Sequence, residues 1–285
     1  MLRKYYAYAK INLLLDVTGR LPDGYHSVAM LMHSISLHDT VIVEATGRQG
    51  VEIICDVPGI PTDERNIAYK ACVAFGIDSG LRIAIEKRIP SEAGLAGGSA
   101  NAAAVLTALR DIYAPGMPDE NLRGIGLRVG ADVPFCLLGG CCLAEGVGEI
   151  LTPLPCLPKE YGIALTKPAF SVSTAQAYAT LDSIEIERPQ ADFAISLAKQ
   201  GDWAGAFPLC ANVFEQAIDF PGLAQARRQA AKSGALLTQM TGSGSAVFSI
   251  YRRVTNPGGI IQALAKIDEN VSVYQPVQRG VCGVS

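Results

Sequence analysis

Apolar and polar positions alternate most clearly over residues 81–89. Leu81, Ile83, Ile85, Lys87 and Ile89 face one way and Arg82, Ala84, Glu86 and Arg88 the other, a mostly period-two pattern that predicts a strand. The alanine-rich run that follows, through Tyr113, favours a helix. Further strand-like segments fall at about 5–16, 28–37, 39–45 and 50–55, and helical ones at about 64–76, 99–113 and 119–130. The mixture is α+β, without regular β-α alternation. Thr152-Pro153-Leu154-Pro155-Cys156-Leu157-Pro158 packs three prolines into six positions, which no helix or central strand tolerates. A domain boundary is therefore expected near residue 155, dividing the chain into 1–155 and 156–285. Beyond it, Ser173-Thr174-Ala175-Gln176 reads as a capping box opening a helix through Leu181. Helices at about 191–199, 203–207, 211–217 and 222–233 follow, the last stopped by Gly234. Residues 235–240 and 245–251 read as two strands joined by Thr241-Gly242-Ser243-Gly244, either a plain hairpin connection or a second functional glycine turn. No internal repeat or low-complexity tract interrupts this order.

Composition narrows the class of protein. A chain of 285 residues that is 49% hydrophobic is long enough for a substantial core in one large or two medium domains. Its net charge of −3, from 24 basic and 27 acidic residues, gives no electrostatic reason to expect a nucleic-acid or membrane-surface partner, a local basic patch apart. The eight cysteines contain no C-x-x-C pair and sit mostly among apolar neighbours, as buried reduced thiols do. His26, His33 and His38 are spaced by seven and five, which fits no standard zinc pattern. No secretory signal core and no run of 18 mostly apolar residues is present, so a soluble cytoplasmic protein is expected.

Between the 81–89 strand and the following helix lies Pro90-Ser91-Glu92-Ala93-Gly94-Leu95-Ala96-Gly97-Gly98-Ser99-Ala100. Glycines let backbone N–H groups approach an anion, and a helix N-terminus adds unpaired donors and positive partial charge. The loop matches neither G-x-x-x-x-G-K-[ST] nor G-x-G-x-x-G, so it reads either as a phosphate cradle or as a turn that packs helix on sheet. Lys10, alone in the apolar run Ala7-Tyr8-Ala9-Lys10-Ile11-Asn12-Leu13, either meets a carboxylate or phosphate or lies on the solvent face of an edge strand. Asp132 is the only charge in Gly130-Ala131-Asp132-Val133-Pro134-Phe135-Cys136-Leu137-Leu138-Gly139-Gly140. It reads as a group that orients or deprotonates a hydroxyl, kept ionised by the attraction of Lys10, or as an Asx turn or helix cap. In Leu21-Pro22-Asp23-Gly24-Tyr25-His26 the aromatic and the imidazole either stack on and hydrogen-bond a heterocyclic base or are incidental surface.

Taken in order, Ala7-Tyr8-Ala9-Lys10-Ile11-Asn12, Asp23-Gly24-Tyr25-His26, Gly94-Leu95-Ala96-Gly97-Gly98-Ser99-Ala100-Asn101, Gly130-Ala131-Asp132-Val133-Pro134-Phe135 and Thr241-Gly242-Ser243-Gly244-Ser245 closely resemble the 4-diphosphocytidyl-2-C-methyl-D-erythritol kinases. These belong to the galactokinase, homoserine kinase, mevalonate kinase and phosphomevalonate kinase superfamily. The resemblance covers essentially the whole chain. It implies a two-domain α+β fold: an N-terminal ATP-binding domain with a left-handed, ribosomal-S5-like β-α-β core, and a C-terminal ferredoxin-like substrate-binding domain, with the active site between them. It also implies transfer of the ATP γ-phosphoryl to the 2-hydroxyl of the methylerythritol moiety, in the non-mevalonate route to isoprenoid precursors.

By the same resemblance Asp132 is the catalytic base and Lys10 its partner. Residues 90–100 (Pro90, Ser91, Glu92, Ala93, Gly94, Leu95, Ala96, Gly97, Gly98, Ser99, Ala100) wrap the triphosphate, with Ser99 a ligand to the Mg²⁺ that accompanies ATP. Asn66 and Lys87 lie near the adenine. The cytosine lies between Tyr25 and Tyr178, with His26 and Asn12 hydrogen-bonding and Thr174 and Gly242 completing the substrate site, each stacking face contributing about 1–3 kcal/mol. The implied partner is a small cytidine diphosphate-linked substrate, and the implied assembly a monomer or weak homodimer. Ala96 and Ala100 stand where the family often has glycine and serine, and Ser245 where it often has proline. Alanine at 96 is expected to take an ordinary negative φ, and Ala100 removes one hydroxyl contact to phosphate or metal. A kinase for another small alcohol would have no use for a cytosine clamp. A binding module without catalysis would be expected to lack Lys10 or Asp132.

Overall fold

The computed structural model describes residues 1–22 and 24–284, so Asp23 of the Tyr25-His26 turn lies outside the described residues. In chain order the elements are β1 (Leu2–Arg20), β2 (His26–Ala45), β3 (Val51–Cys55), α1 (Ile67–Phe75), β4 (Leu81–Glu86), α2 (Gly97–Tyr113), α3 (Asp119–Val129), α4 (Val133–Leu138), β5 (Cys141–Glu145) and β6 (Ile150–Leu154). The second half contains β7 (Tyr161–Thr166), α5 (Thr174–Leu181), α6 (Ala191–Lys199), α7 (Trp203–Ala206), α8 (Leu223–Lys232), β8 (Ala235–Met240), β9 (Val247–Arg252), α9 (Gly258–Leu264), β10 (Val271–Tyr274) and β11 (Val281–Val284).

The first sheet is built on one long antiparallel pair, β1 with β2. The segments read separately as 28–37 and 39–45 are one continuous strand. Its first half pairs with β5 and its second with β4, so one strand carries two neighbours on the same side. β3 and β4 run parallel, joined through α1. α2 lies against β1, β2, α1 and α4, and its alanines at 100, 102, 103, 104 and 108 are fully buried, which lets the helix approach the strands closely. The second sheet, in order β10-β7-β9-β8, is wholly antiparallel. With α8 and α9 packed on it, this gives the β-α-β-β-α-β succession of a ferredoxin-like layer, as the resemblance implied.

Several elements escaped the sequence pattern. The proline-rich stretch, read as excluding a helix or a central strand, contains the edge strand β6, with Pro153 inside it. Among the described residues β6 pairs only with β5, and an edge strand tolerates a residue without an N–H. The helix expected over 211–217 is a short 3-10 turn, Val213–Gln216. α4, β5, β7, α9, β10 and β11 gave no distinct signal. The change from first to second sheet falls between Leu154 and Tyr161, yet β11 returns to pair with β1, so residues 281–284 sit on the first sheet. Among the described residues no helix is long and apolar enough to cross a membrane.

His33 fastens this junction. Buried within β2, its Nε2 accepts from the Leu157 N–H at 2.9 Å, so its Nδ1–H is left to donate to the Ser34 carbonyl at 2.7 Å and the ring is neutral. Burial pulls its pKa from 6.5 to about 4. Between those values the unfolded chain binds a proton that the folded chain excludes, so stability present at neutral pH is lost as pH falls through 6.5 toward 4. Urea unfolding at pH 5 should give about 2 kcal/mol less stability than at pH 7 from this group alone. In His33→Gln the loss over that interval should shrink by that amount, and an equal loss in both proteins would show that His33 does not carry it.

Candidate active site

The glycine loop connects β4 to α2 and is held on three sides. The Leu95 carbonyl accepts from the Lys10 N–H at 3.2 Å, the Ala93 carbonyl from the Ala246 N–H at 3.2 Å, and the Gly94 carbonyl from Thr241 Oγ1 at 3.2 Å. The first strand, the loop and the Thr241–Ser245 turn therefore meet at one place. Gly94 has φ +72°, and a Cβ there would lie 1.9 Å from the Thr241 carbonyl oxygen, so only glycine allows the two turns to touch. The second glycine turn is thus a packing partner of the first as well as the link between β8 and β9.

Ala96 does not take the negative φ expected of it. It is left-handed at φ +57°, as is Glu92 at +52°, and both non-glycine strained positions of the described chain fall in this loop. Each costs of order 1 kcal/mol and is retained by the surrounding packing. As the N-cap of α2, Ala96 offers no side-chain acceptor. The N–H groups of Gly97, Gly98 and Ser99 in the first turn then have no intrahelical acceptor, at the positive end of a 17-residue helix dipole. Gly97 and Gly98 border a cavity of about 270 Å³ lined by Lys87 and residues 90–98, which fits an anion cradle.

Lys10 lies on the inner side of β1 with 5% exposure, not on a solvent face. Its Nζ donates to Asn12 Oδ1 at 2.7 Å and lies 3.9 Å from Asp132 Oδ2. A Cβ on Gly242 would come within 3.5 Å of the same ammonium. Asp132 stands at the N-cap of α4, but its side chain makes no capping hydrogen bond and is 37% exposed. The helix-cap role is therefore not realised, and the carboxylate faces Lys10 instead.

On the far side of Asp132 the second half of the chain supplies α5. Its Ser173 hydroxyl caps the helix, accepting from the Gln176 N–H, as the capping-box pattern implied. Burial, and secondarily the charge of Asp132, raise the Tyr178 phenol above its usual range. One face of Tyr178 stacks on His26, centroids 4.4 Å apart and planes 16° apart, and its edge meets Phe214. His26 Nε2 lies 2.7 Å from Asp182 Oδ1. Tyr25 beside it is 66% exposed. The rings of His26 and Tyr178 thus touch each other directly, and a base between Tyr25 and Tyr178 would have to enter beside that stack. Thr174 Oγ1 is paired with Ser243 Oγ at 2.8 Å, tying α5 to the second glycine turn.

The two residues assigned to the adenine have structural partners. Asn66 caps α1, its Oδ1 accepting from the Ala68 N–H, and its Nδ2 donates to the Pro61 carbonyl. Lys87 Nζ is bonded to Asp39 Oδ2 at 2.5 Å and Asn101 Oδ1 at 3.2 Å, while its side chain still borders the loop cavity. Sequence reasoning missed Asp39. Its carboxylate is fully buried and also accepts from the Arg88 N–H at 2.6 Å, the Ile89 N–H at 2.8 Å and Asn101 Nδ2 at 2.8 Å. It ties the strand that enters the glycine loop to the helix that leaves it. Asp39 is the only formal charge in 35–43, but Ser36, His38 and Thr40 flank it, so its signal is weaker than the one that singled out Lys10 and Asp132. Asp182 and Ser243 carried no such signal.

The GHMP kinases N terminal domain family matches residues 66–140, which span the glycine loop and Asp132. A 4-diphosphocytidyl-2-C-methyl-D-erythritol kinase from Alkaliphilus metalliredigens is 40% identical over 278 residues, 95% of either chain. A crystal structure of a 4-(cytidine 5'-diphospho)-2C-methyl-D-erythritol kinase superposes with a TM-score of 0.73 at 31% identity, covering 97% of this chain and 99% of that one. The homoserine kinase from Cytophaga hutchinsonii superposes at a TM-score of 0.78 over 99% and 97% of the two chains, with 19% identity, and so shares the fold.

Proposed function

This chain belongs to the 4-diphosphocytidyl-2-C-methyl-D-erythritol kinase family, and from that membership we propose that it moves the γ-phosphoryl of ATP onto the 2-hydroxyl of 4-diphosphocytidyl-2-C-methyl-D-erythritol. The products are the 2-phosphate and ADP, in the methylerythritol phosphate route to isoprenoid precursors. The observation that carries the reading is the 3.9 Å approach of Asp132 to the buried Lys10, between the glycine-loop cradle and the His26–Tyr178 stack.

Asp132 takes the proton of the 2-hydroxyl as its oxygen attacks the γ-phosphorus, and the bond to the β-phosphate oxygen breaks toward ADP. Lys10 lies where it offsets the negative charge gathering on the transferred group, and Asn12 Oδ1 fixes its direction. The N–H groups that open α2 hold the phosphates. Among the described residues no cluster of three acidic, histidine or cysteine side chains is placed to hold a metal ion. Ser99, in the first turn of α2, would offer its hydroxyl to the Mg²⁺ that accompanies ATP, and the ion would supply charge neutralisation there. Residues 1–155 form the ATP-binding part and 156–285 the substrate-binding part, with the terminal strand β11 rejoining the first. The same reading carries with it a monomer or weak homodimer.

An ATP-consumption assay with four alcohols tests the assignment. Turnover is expected with 4-diphosphocytidyl-methylerythritol and not with mevalonate, homoserine or galactose. Comparable kcat/KM for any of the other three would overturn it.

A further inference from the structure

The overall charge of −3 conceals a local positive excess behind the helix that carries Asp132. A cavity of about 450 Å³ opens among α2, α3, α4 and the segment 279–281. Three arginines line it, Arg110, Arg123 and Arg279, against a single carboxylate, Asp119. Arg110 is already matched, with Asp119 at 2.5 Å and Asp111 at 3.3 Å. Among the described residues neither Arg123 nor Arg279 pairs with a carboxylate, and Arg279 makes only a 3.9 Å contact to Cys282 Sγ. Two uncompensated guanidinium groups on one cavity repel each other, and their planar forks match phosphate oxygens. Leu137 and Leu138 give the same cavity an apolar wall.

We propose that this cavity is a second anion site, separate from the glycine loop, which takes the phosphate or diphosphate group of a small metabolite between Arg123 and Arg279 and rests its apolar part on Leu137 and Leu138. The site is mechanically joined to the catalytic base. α4 leads from Asp132 to Leu138 over six residues, about 9 Å at 1.5 Å per residue. Gly280, next to Arg279, is pressed so closely on this helix that a Cβ there would lie 1.7 Å from the Cys136 carbonyl oxygen. A Cβ on Gly139 would in turn lie 1.8 Å from the Gly280 nitrogen. An anion that draws Arg279 inward therefore bears on α4, and occupancy alters kcat.

Inorganic diphosphate is the probe, titrated calorimetrically at low ionic strength with the glycine loop filled by a saturating non-hydrolysable ATP analogue. One equivalent should still bind to the wild-type protein, with Kd at least tenfold weaker in Arg123→Gln/Arg279→Gln. With Mg²⁺ held in excess of all diphosphate, saturating the site should change kcat at least twofold in the wild type and leave the double variant unaffected. The double variant should retain its kcat without the anion, because neither arginine belongs to the transfer machinery. Displacement of all diphosphate by the ATP analogue, an unchanged Kd in the double variant, or an unchanged wild-type kcat would each overturn the proposal.

Discussion

Asp132→Asn is expected to lower kcat by two to four orders of magnitude while the Kd for ATP moves by less than about threefold, the range set by loss of a positioned general base. The asparagine keeps the size of the side chain, and at the N-cap of α4 it gives up no capping hydrogen bond, because Asp132 makes none. Fold and loop geometry should therefore survive. On the proposed reading nucleotide affinity rests on the N–H groups that open α2 and on the cavity lined by Lys87 and residues 90–98, a lining that does not include Asp132. The amide cannot accept the hydroxyl proton, and it removes the negative charge that faces Lys10 at 3.9 Å. Calorimetry for ATP and single-turnover transfer measured on the same preparation separate the two effects. Turnover within tenfold of wild type in a folded variant would remove Asp132 from the role of base.

Single charges in apolar surroundings were the most readable part of this site. Lys10 and Asp132 stand out because burying an isolated charge costs several kcal/mol, so each implied a partner; Lys10 is buried, Asp132 stays 37% exposed, and each has the other within reach. The glycine loop was legible as a turn between strand and helix, but its backbone was not. Alanine at 96 predicts negative φ on local grounds, whereas packing of Gly94 on Thr241 and of Leu95 on Lys10 holds this loop where Ala96 must be left-handed. Local propensity lost there to contacts made across more than eighty residues. The strands β5, β7 and β10 are short, and in β5 and β7 nearly every position is buried, so neither shows alternation. The stack of His26 on Tyr178 depends on how α5 docks beside β2, which no short-range pattern encodes.

The largest effect on stability is expected at Asp39. Asp39→Ala leaves the Lys87 ammonium buried without its carboxylate and strips acceptors from the N–H groups of Arg88 and Ile89 and from Asn101 Nδ2. Breaking a buried pair by removing one partner costs about 3–5 kcal/mol, and the released N–H groups add to it. Urea unfolding should show a loss of that size. The loss should not be uniform in its consequences, because Asp39 joins the strand entering the glycine loop to α2 and contacts nothing in the aromatic half of the site. KM for ATP should therefore rise at least tenfold while KM for the cytidyl substrate changes little. Pairing the change with Lys87→Met separates charge from anchoring: with the stranded ammonium gone, Asp39→Ala/Lys87→Met should regain about 2 kcal/mol over the single variant, since replacing both members of a buried pair by apolar groups is often near neutral. The raised KM for ATP should persist, because the backbone N–H groups at 88 and 89 still lack their acceptor and Lys87, which borders the loop cavity, is itself lost. If Asp39→Ala loses less than 1 kcal/mol, or if both Michaelis constants rise together, Asp39 is not the anchor of the loop.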